Sequence, residues 1–284
     1  RGGRTYLRFF DPRIIMIAMK TIIRMLKPVV LLSVVLGAFC VPLFGQQPSS
    51  TEGRRLALVV GNSAYQANPL KNPVNDAEDV AAALRETGFE VRLVKDADSA
   101  AFERAVLDFA SSLKGADTGL FYYAGHGVQV DGMNYLIPVS PRMDDVLTVK
   151  ARAMPVDTVV GRMETSGVKT ALVFLDSCRD NPFPGANRSG TRGLAVVAAP
   201  KTKNSMIAYA TSPGDTAADG NGRNGIFSAA FLEQLKNPGT ELASMMKAVK
   251  ANVSAVTSNK QNPRVDDGMK EDFFFADPAR LSAQ

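Results

Sequence analysis

The chain has 284 residues, with 33 Lys and Arg against 28 Asp and Glu, one histidine and two cysteines. One imidazole and two thiols leave too few ligands for a zinc site and too few cysteines for a disulfide framework. Seven of the bases and only one acid fall in the first 45 positions, so the remainder is close to neutral and offers no basic surface for nucleic acid.

Residues 1–45 read as a leader. Met19-Lys20 with Arg24 and Lys27 supplies a positive start, and 28–44 is uncharged and mostly Val, Leu and Ala. Cleavage near Gly45 would export the product to a periplasmic or extracellular space. Uncleaved, the same run approaches the length of a membrane anchor, the only membrane contact the sequence suggests. Cys40 would allow a lipidated end, although the bulky Phe39 before it argues against that. With the leader removed, Cys178 is the single remaining thiol.

A polar linker, 46–53, leads into a segment that alternates regularly. Arg55 to Val60 is an aliphatic run stopped by Gly61-Asn62, a strand pattern. Ala77, Val80, Ala81 and Leu84 fall at helical spacing within 76–87, with Gly88 as the stop. A strand over 89–94 and a helix over 101–113, started by Ser99, come next. A third strand, 118–123, runs into His126 in a Gly-His-Gly turn, and a short 135–139 segment follows. A helix over 156–164 precedes a strand, 170–175, that delivers Asp176-Ser177-Cys178. The rhythm then breaks over 179–203, which holds Pro182, Pro184, Arg188, Gly190, Arg192 and Gly193 and reads as a long exposed loop. A strand over 205–210, helices over 226–235 and 242–256 and an apolar segment, 273–275, complete the chain. Strands alternating with helices predict an α/β fold with a mostly parallel central sheet flanked by helices on both faces.

His126 and Cys178 each close an apolar strand with polar, turn-forming residues, where open sheets place their active sites. A lone histidine in a glycine turn is commonly a solvated loop residue, and a lone cysteine after a strand commonly packs as a small hydrophobe. Together they suit a thiol nucleophile and an imidazole base, since attack requires the thiolate and an imidazole can hold its proton near neutral pH.

Four ordered blocks carry a resemblance: Leu58 to Asn62 followed by Asn75-Asp76-Ala77, Tyr123 to Gly127, Leu175 to Arg179, and Ala208 to Gly214. They resemble the caspase-like cysteine peptidases, more closely the bacterial metacaspase and paracaspase-like (orthocaspase-type) branch than animal caspases. Animal caspases carry Gln-Ala-Cys-Arg-Gly at the nucleophile, where this chain has Asp-Ser-Cys-Arg-Asp. The resemblance implies one caspase-like (caspase-hemoglobinase) peptidase domain over 54–277. Its large-subunit-like part would span about 54–187, and its small-subunit-like part about 204–277.

It implies roles as well. Cys178 would be the nucleophile and His126 the acid and base, a dyad, with the backbone N–H groups of Gly127 and Cys178 forming the oxyanion hole. Asp176, two residues before the nucleophile, Asp76 and Asp215 would line an acidic pocket for the residue preceding the scissile bond. Carboxylates gathered there suit a guanidinium, whose planar fork pairs bidentately, so a peptide or protein substrate would be cut after Arg and secondarily after Lys. Asp76 alone would read equally well as a helix cap, and Asp215 as a turn residue. Arg188 and Arg192 would then be self-cleavage sites, unless 179–203 is simply a solvated loop. No cofactor or metal is required by this chemistry. Calcium activates some metacaspases, and Asp131 with Asp144-Asp145 could offer oxygen ligands, without the spacing of a dedicated calcium loop. Two other functions fit parts of the pattern: a catalytically silent caspase-like scaffold that binds a partner, and a legumain-like or sortase-like hydrolase, which the ordered blocks disfavour.

Overall fold

A computed structural model of the chain describes residues 53–178, 200–212, 220 and 222–276, with the backbone alone at Cys178. The chain divides at residue 51, and all of these residues belong to the second unit. Strand β1 (Arg55–Gly61) leads to helix α1 (Pro73–Glu86), β2 (Glu90–Lys95) and α2 (Ser99–Ser112). The long β3 (Thr118–Val130) is followed by β4 (Met133–Leu136), α3 (Val146–Arg152), β5 (Met154–Pro155) and α4 (Val156–Thr165). After β6 (Thr170–Cys178) come β7 (Asn204–Tyr209), α5 (Ile226–Leu235), α6 (Leu242–Val256) and β8 (Arg264–Asp267).

The strands lie in the order β2-β1-β3-β6-β7-β8. Along that path the pairs from β2 to β7 are parallel and β8 joins antiparallel at the edge, while β4 and β5 form antiparallel pairs off the path, through the far end of β3. β1, β3 and β7 are buried along nearly their whole length, as a parallel sheet covered on both faces requires. Alternate residues feed opposite layers, because successive side chains of a strand point to opposite faces. Val59, Leu120, Tyr122 and Phe174 pack under α1, α5 and α6 with Val80, Phe231 and Val249, whereas Leu58, Phe121, Tyr123 and Val173 pack under α2 and α4 with Phe102, Phe109 and Val159. Among the described residues no helix is long and apolar enough to cross a membrane.

Several local expectations are corrected. The 101–113 helix starts at Ser99 but is capped by Asp98, whose carboxylate accepts from the Ala101 N–H at 2.7 Å. α3 and β8, which carry no clear sequence period, are additional elements. The Gly-His-Gly segment is not a turn: β3 continues through it to Val130 and its far end pairs antiparallel with β4, with Gly127 opposite Leu136. That hairpin satisfies the backbone groups beyond the sheet rim, so glycine-rich sequence is carried in an extended strand.

Candidate active site

The sheet changes direction beside β3. From β1 the chain steps to β2 on one side, then crosses to β3 on the other, and such a switch point opens a crevice at the carboxyl ends of the strands. There β3 and β6 run in register to the end of β6, with Ala124 beside Asp176 and His126 beside Cys178. β1 stops at Gly61, opposite Ala124, and the Asn62 N–H donates to the Ala124 carbonyl at 2.9 Å. The segment that leaves β1 is thereby started next to His126.

That segment holds the imidazole. His126 is 3% exposed, and its Nε2 lies 2.7 Å from the carbonyl oxygen of Asn68. A carbonyl can only accept, so Nε2 carries the hydrogen, and in the neutral ring Nδ1 is the nitrogen able to take a proton. The Tyr65 ring packs against the imidazole, with centroids 4.4 Å apart. Asn68 has φ of 53°, a left-handed backbone that asparagine tolerates better than most residues. The segment is fixed at its start by Asp96, which accepts from the Ser63 and Ala64 N–H groups at 2.8 and 2.9 Å, and Leu70 N–H closes it onto the Ser63 carbonyl. Neither Asn68 nor Asp96 stands out in the sequence, because the first acts through its main chain and the second binds N–H groups 33 and 32 positions away.

Two phenols hold the His126 peptide from behind. The Tyr65 hydroxyl accepts from the His126 N–H at 2.9 Å, and the Tyr123 hydroxyl donates to the His126 carbonyl at 2.7 Å. Gly125 makes room for them: a Cβ there would fall 2.6 Å from the Tyr65 hydroxyl and 2.7 Å from that of Tyr123, on a backbone of φ 151°. Gly125→Ala is therefore expected to lower folding stability by about 2 kcal/mol or more, read as a lower urea midpoint at unchanged slope.

A second group of side chains gathers where α5 begins. Asp76, in the first turn of α1, is buried, and its Oδ1 accepts from the Gly225 N–H at 2.9 Å. It therefore serves the start of α5, whose cap residue Gly225 has no side chain to do so. Asp176 at the end of β6 accepts through Oδ2 from the Ser228 hydroxyl. The two carboxylates converge: a Cβ built on Gly225 would stand 3.2 Å from Asp76 Oδ2 and 3.5 Å from Asp176 Oδ2. Beneath them lies Tyr122, 2.5 Å from the Ser228 hydroxyl. Burial above all, then the charges of Asp176 and Asp76, hold this phenol well above its ordinary pKa, so it remains a donor. Arg223 stays apart from the pair, since its guanidinium is bound by Asp79 at 2.9 Å through two nitrogens.

Of the residues singled out in the sequence, the structure brings His126 beside Cys178 in register and Asp76 together with Asp176. Asp215, Arg188 and Arg192 lie outside the described residues, as does the leader with Cys40. The acids considered for calcium have other partners: Asp131 pairs with Lys150, Asp144 with Arg142, and Asp145 caps α3 through the Thr148 N–H at 2.9 Å. Among the described residues no group of three or more His, Cys, Asp or Glu could hold a metal ion. A cavity of about 520 Å³ between α2 and the α3–β5–α4 segment contains none of the site residues.

Comparison with known proteins places these features in a family context. The profile described as "Caspase domain" matches residues 54–274. The human mucosa-associated lymphoid tissue lymphoma translocation protein 1 is 27% identical over 190 residues, covering 64% of this chain and 21% of that protein. A probable protease of a Desulfuromonadales bacterium is 30% identical over 139 residues, 46% of this chain and 17% of the relative. The chain thus spans about a fifth of the length of the curated relatives it matches. The crystal structure of caspase-1 from Spodoptera frugiperda superimposes with a TM-score of 0.58 over 80% of this chain and 91% of that one, at 17% identity, a likeness of fold.

Proposed function

The chain belongs to the caspase domain family of peptidases, and from that premise we propose that it is a cysteine endopeptidase that hydrolyses peptide bonds after Arg, and secondarily after Lys. The observation that carries the reading is the register pairing of His126 with Cys178 on adjacent strands, at the end of β6 and beside two converged carboxylates. In this reading the Cys178 thiolate attacks the carbonyl carbon of the scissile bond. The negative oxygen is met by the N–H groups of Gly127 and Cys178, by likeness to the family. His126, holding the proton taken from the thiol, gives it to the departing amine, leaving a thioester, and then takes a proton from the water whose oxygen displaces the thiolate and releases the acid. The Asn68 carbonyl keeps Nε2 protonated throughout, so that Nδ1 does the proton transfer and a third carboxylate is not needed.

Asp76 and Asp176 supply a pocket of two negative charges in partly dry surroundings, suited to the fork of a guanidinium. Asp215 belongs to the same proposal by resemblance alone. A panel of fluorogenic peptides ending in Arg, Lys, Asp or Asn, offered to freshly reduced full chain, tests it. Cleavage after Arg above Lys, with none after Asp or Asn, is expected. Turnover after Asp or Asn alone would refute the acidic pocket, and no turnover with or without calcium would favour a silent scaffold.

Self-processing after Arg188 or Arg192 is part of the same proposal, since both offer the preferred residue after the nucleophile. Mass spectrometry is expected to find fragments ending at one of these arginines in the wild type and only intact chain in Cys178→Ala. Export, or anchoring in a membrane, rests on the composition of residues 1–45 and is tested by sequencing the N-terminus of protein secreted or fractionated from cells.

A further inference from the structure

We infer that Ser228, backed by Tyr122, is a positioning residue for substrate specificity: a buried hydroxyl chain that aims the Asp176 carboxylate at the fork of a bound guanidinium. The inference deepens the proposed preference for arginine and rests on it. Ser228 sits in the first turn of α5 and is completely buried. Its hydroxyl touches two oxygens, those of Tyr122 and Asp176. The hydroxyl has one hydrogen, and an ionised carboxylate can only accept, so the directions are fixed. Tyr122 donates to Ser228, and Ser228 donates to Asp176 Oδ2.

Two links come from neighbouring strands of the sheet and the third from the helix packed on it. Tyr122 is a fully buried residue of β3, Asp176 is half-buried at the rim of β6, and Ser228 descends from the helix above them. A hydroxyl that itself accepts a hydrogen bond is polarised and donates more strongly, so the phenol reinforces the serine. The arrangement also explains how two carboxylates tolerate one another. Asp76 is held by the Gly225 N–H and Asp176 by Ser228, both at the start of α5, where the helix dipole favours negative charge. α5 thus orients both acids, and Ser228 is the only side chain of that helix among the described residues that bonds to either of them.

Arg and Lys respond differently to such orientation. Bidentate pairing with a guanidinium requires a carboxylate held at a set angle, whereas an ammonium is a point charge that accepts many angles. Loss of the Ser228 hydroxyl should therefore damage recognition of Arg more than that of Lys. Steady-state kinetics of the full chain with matched Arg-ending and Lys-ending peptides tests this for Ser228→Ala and Tyr122→Phe. For Ser228→Ala, KM for the Arg peptide is expected to rise roughly 10-fold, the scale of one hydrogen bond to a charged group, with the loss in KM rather than kcat and the Arg-over-Lys preference narrowed several-fold. Tyr122→Phe keeps the serine-to-carboxylate bond and should shift in the same direction by a smaller factor. It also carries the test if Ser228→Ala fails to fold. Equal losses on both peptides, a loss confined to kcat, or unchanged kinetics would overturn the inference. A wild type without preference for Arg would instead refute the proposed function, so the two failures are distinguishable.

Discussion

Replacing Cys178 with alanine is expected to take peptide hydrolysis below detection, while His126→Ala leaves a residue of activity about 10²- to 10⁴-fold below wild type. The difference follows from the role proposed for each group. Without the sulfur no covalent intermediate forms, whereas without the imidazole the thiol can still ionise into water and attack slowly, losing only the gain from a positioned acid and base. The two variants are told apart by alkylation. Iodoacetamide is expected to label Cys178 in the wild type, to leave that position unlabelled in Cys178→Ala, and to label it more slowly in His126→Ala near neutral pH, because the thiolate would lose its charge partner. Rapid labelling in His126→Ala together with retained turnover would remove His126 from the reaction. His126 packs against Tyr65 and is nearly enclosed, so the thermal melt of His126→Ala should be recorded beside its kinetics.

The second large effect is expected at the acid pair. Asp76→Asn and Asp176→Asn each preserve an amide oxygen that can accept from Gly225 or Ser228, and each removes one charge. Breaking a buried, hydrogen-bonded charge pair with a ligand costs about 2–5 kcal/mol, so kcat/KM for an Arg-ending peptide should fall by about 10² or more in each variant. The double variant should lose less than the product of the two, since both acids would hold the same cation. Stability should move the opposite way. Two carboxylates near one point repel, and neutralising one relieves that repulsion, so the melting temperature is expected to stay level or rise. Lower activity combined with a lower melting temperature in both variants would mark the acids as structural members of the α5 start instead of a binding pocket.

The elements that were legible in the sequence are those with long, clearly bounded apolar or amphipathic runs. The helices over 226–235 and 242–256 appear with the expected limits, and the strand 170–175 extends only to take in Asp176, Ser177 and Cys178. Short pieces without a period were not legible: α3 has seven residues and depends on the Asp145 cap, and β8 has four, paired only at the sheet edge. The glycines around His126 suggest a turn by composition, yet they serve close approach, since the two tyrosine hydroxyls occupy the place of a Cβ at Gly125. At the site, residue types that carry chemistry could be read directly, and groups that act through the main chain could not. Asn68 contributes a carbonyl and Gly225 an N–H, atoms that every residue possesses, so only the fold reveals their use. Ser228 was hidden for another reason, as a small polar residue in a helix that is otherwise mostly apolar.

The site draws on both sides of residues 179–203. Asp76, His126, Asp176 and Cys178 precede that stretch, while Gly225 and Ser228 follow it. Six residue pairs join β6 to β7 across the same gap, in addition to the bonds from α5 to the acids. A chain nicked in between would accordingly stay annealed: its two fragments should separate on a denaturing gel yet migrate together in native sizing. Once separated, they could rebuild the sheet only by meeting, so recovery of activity from dissolved fragments should become second order and slow down on dilution.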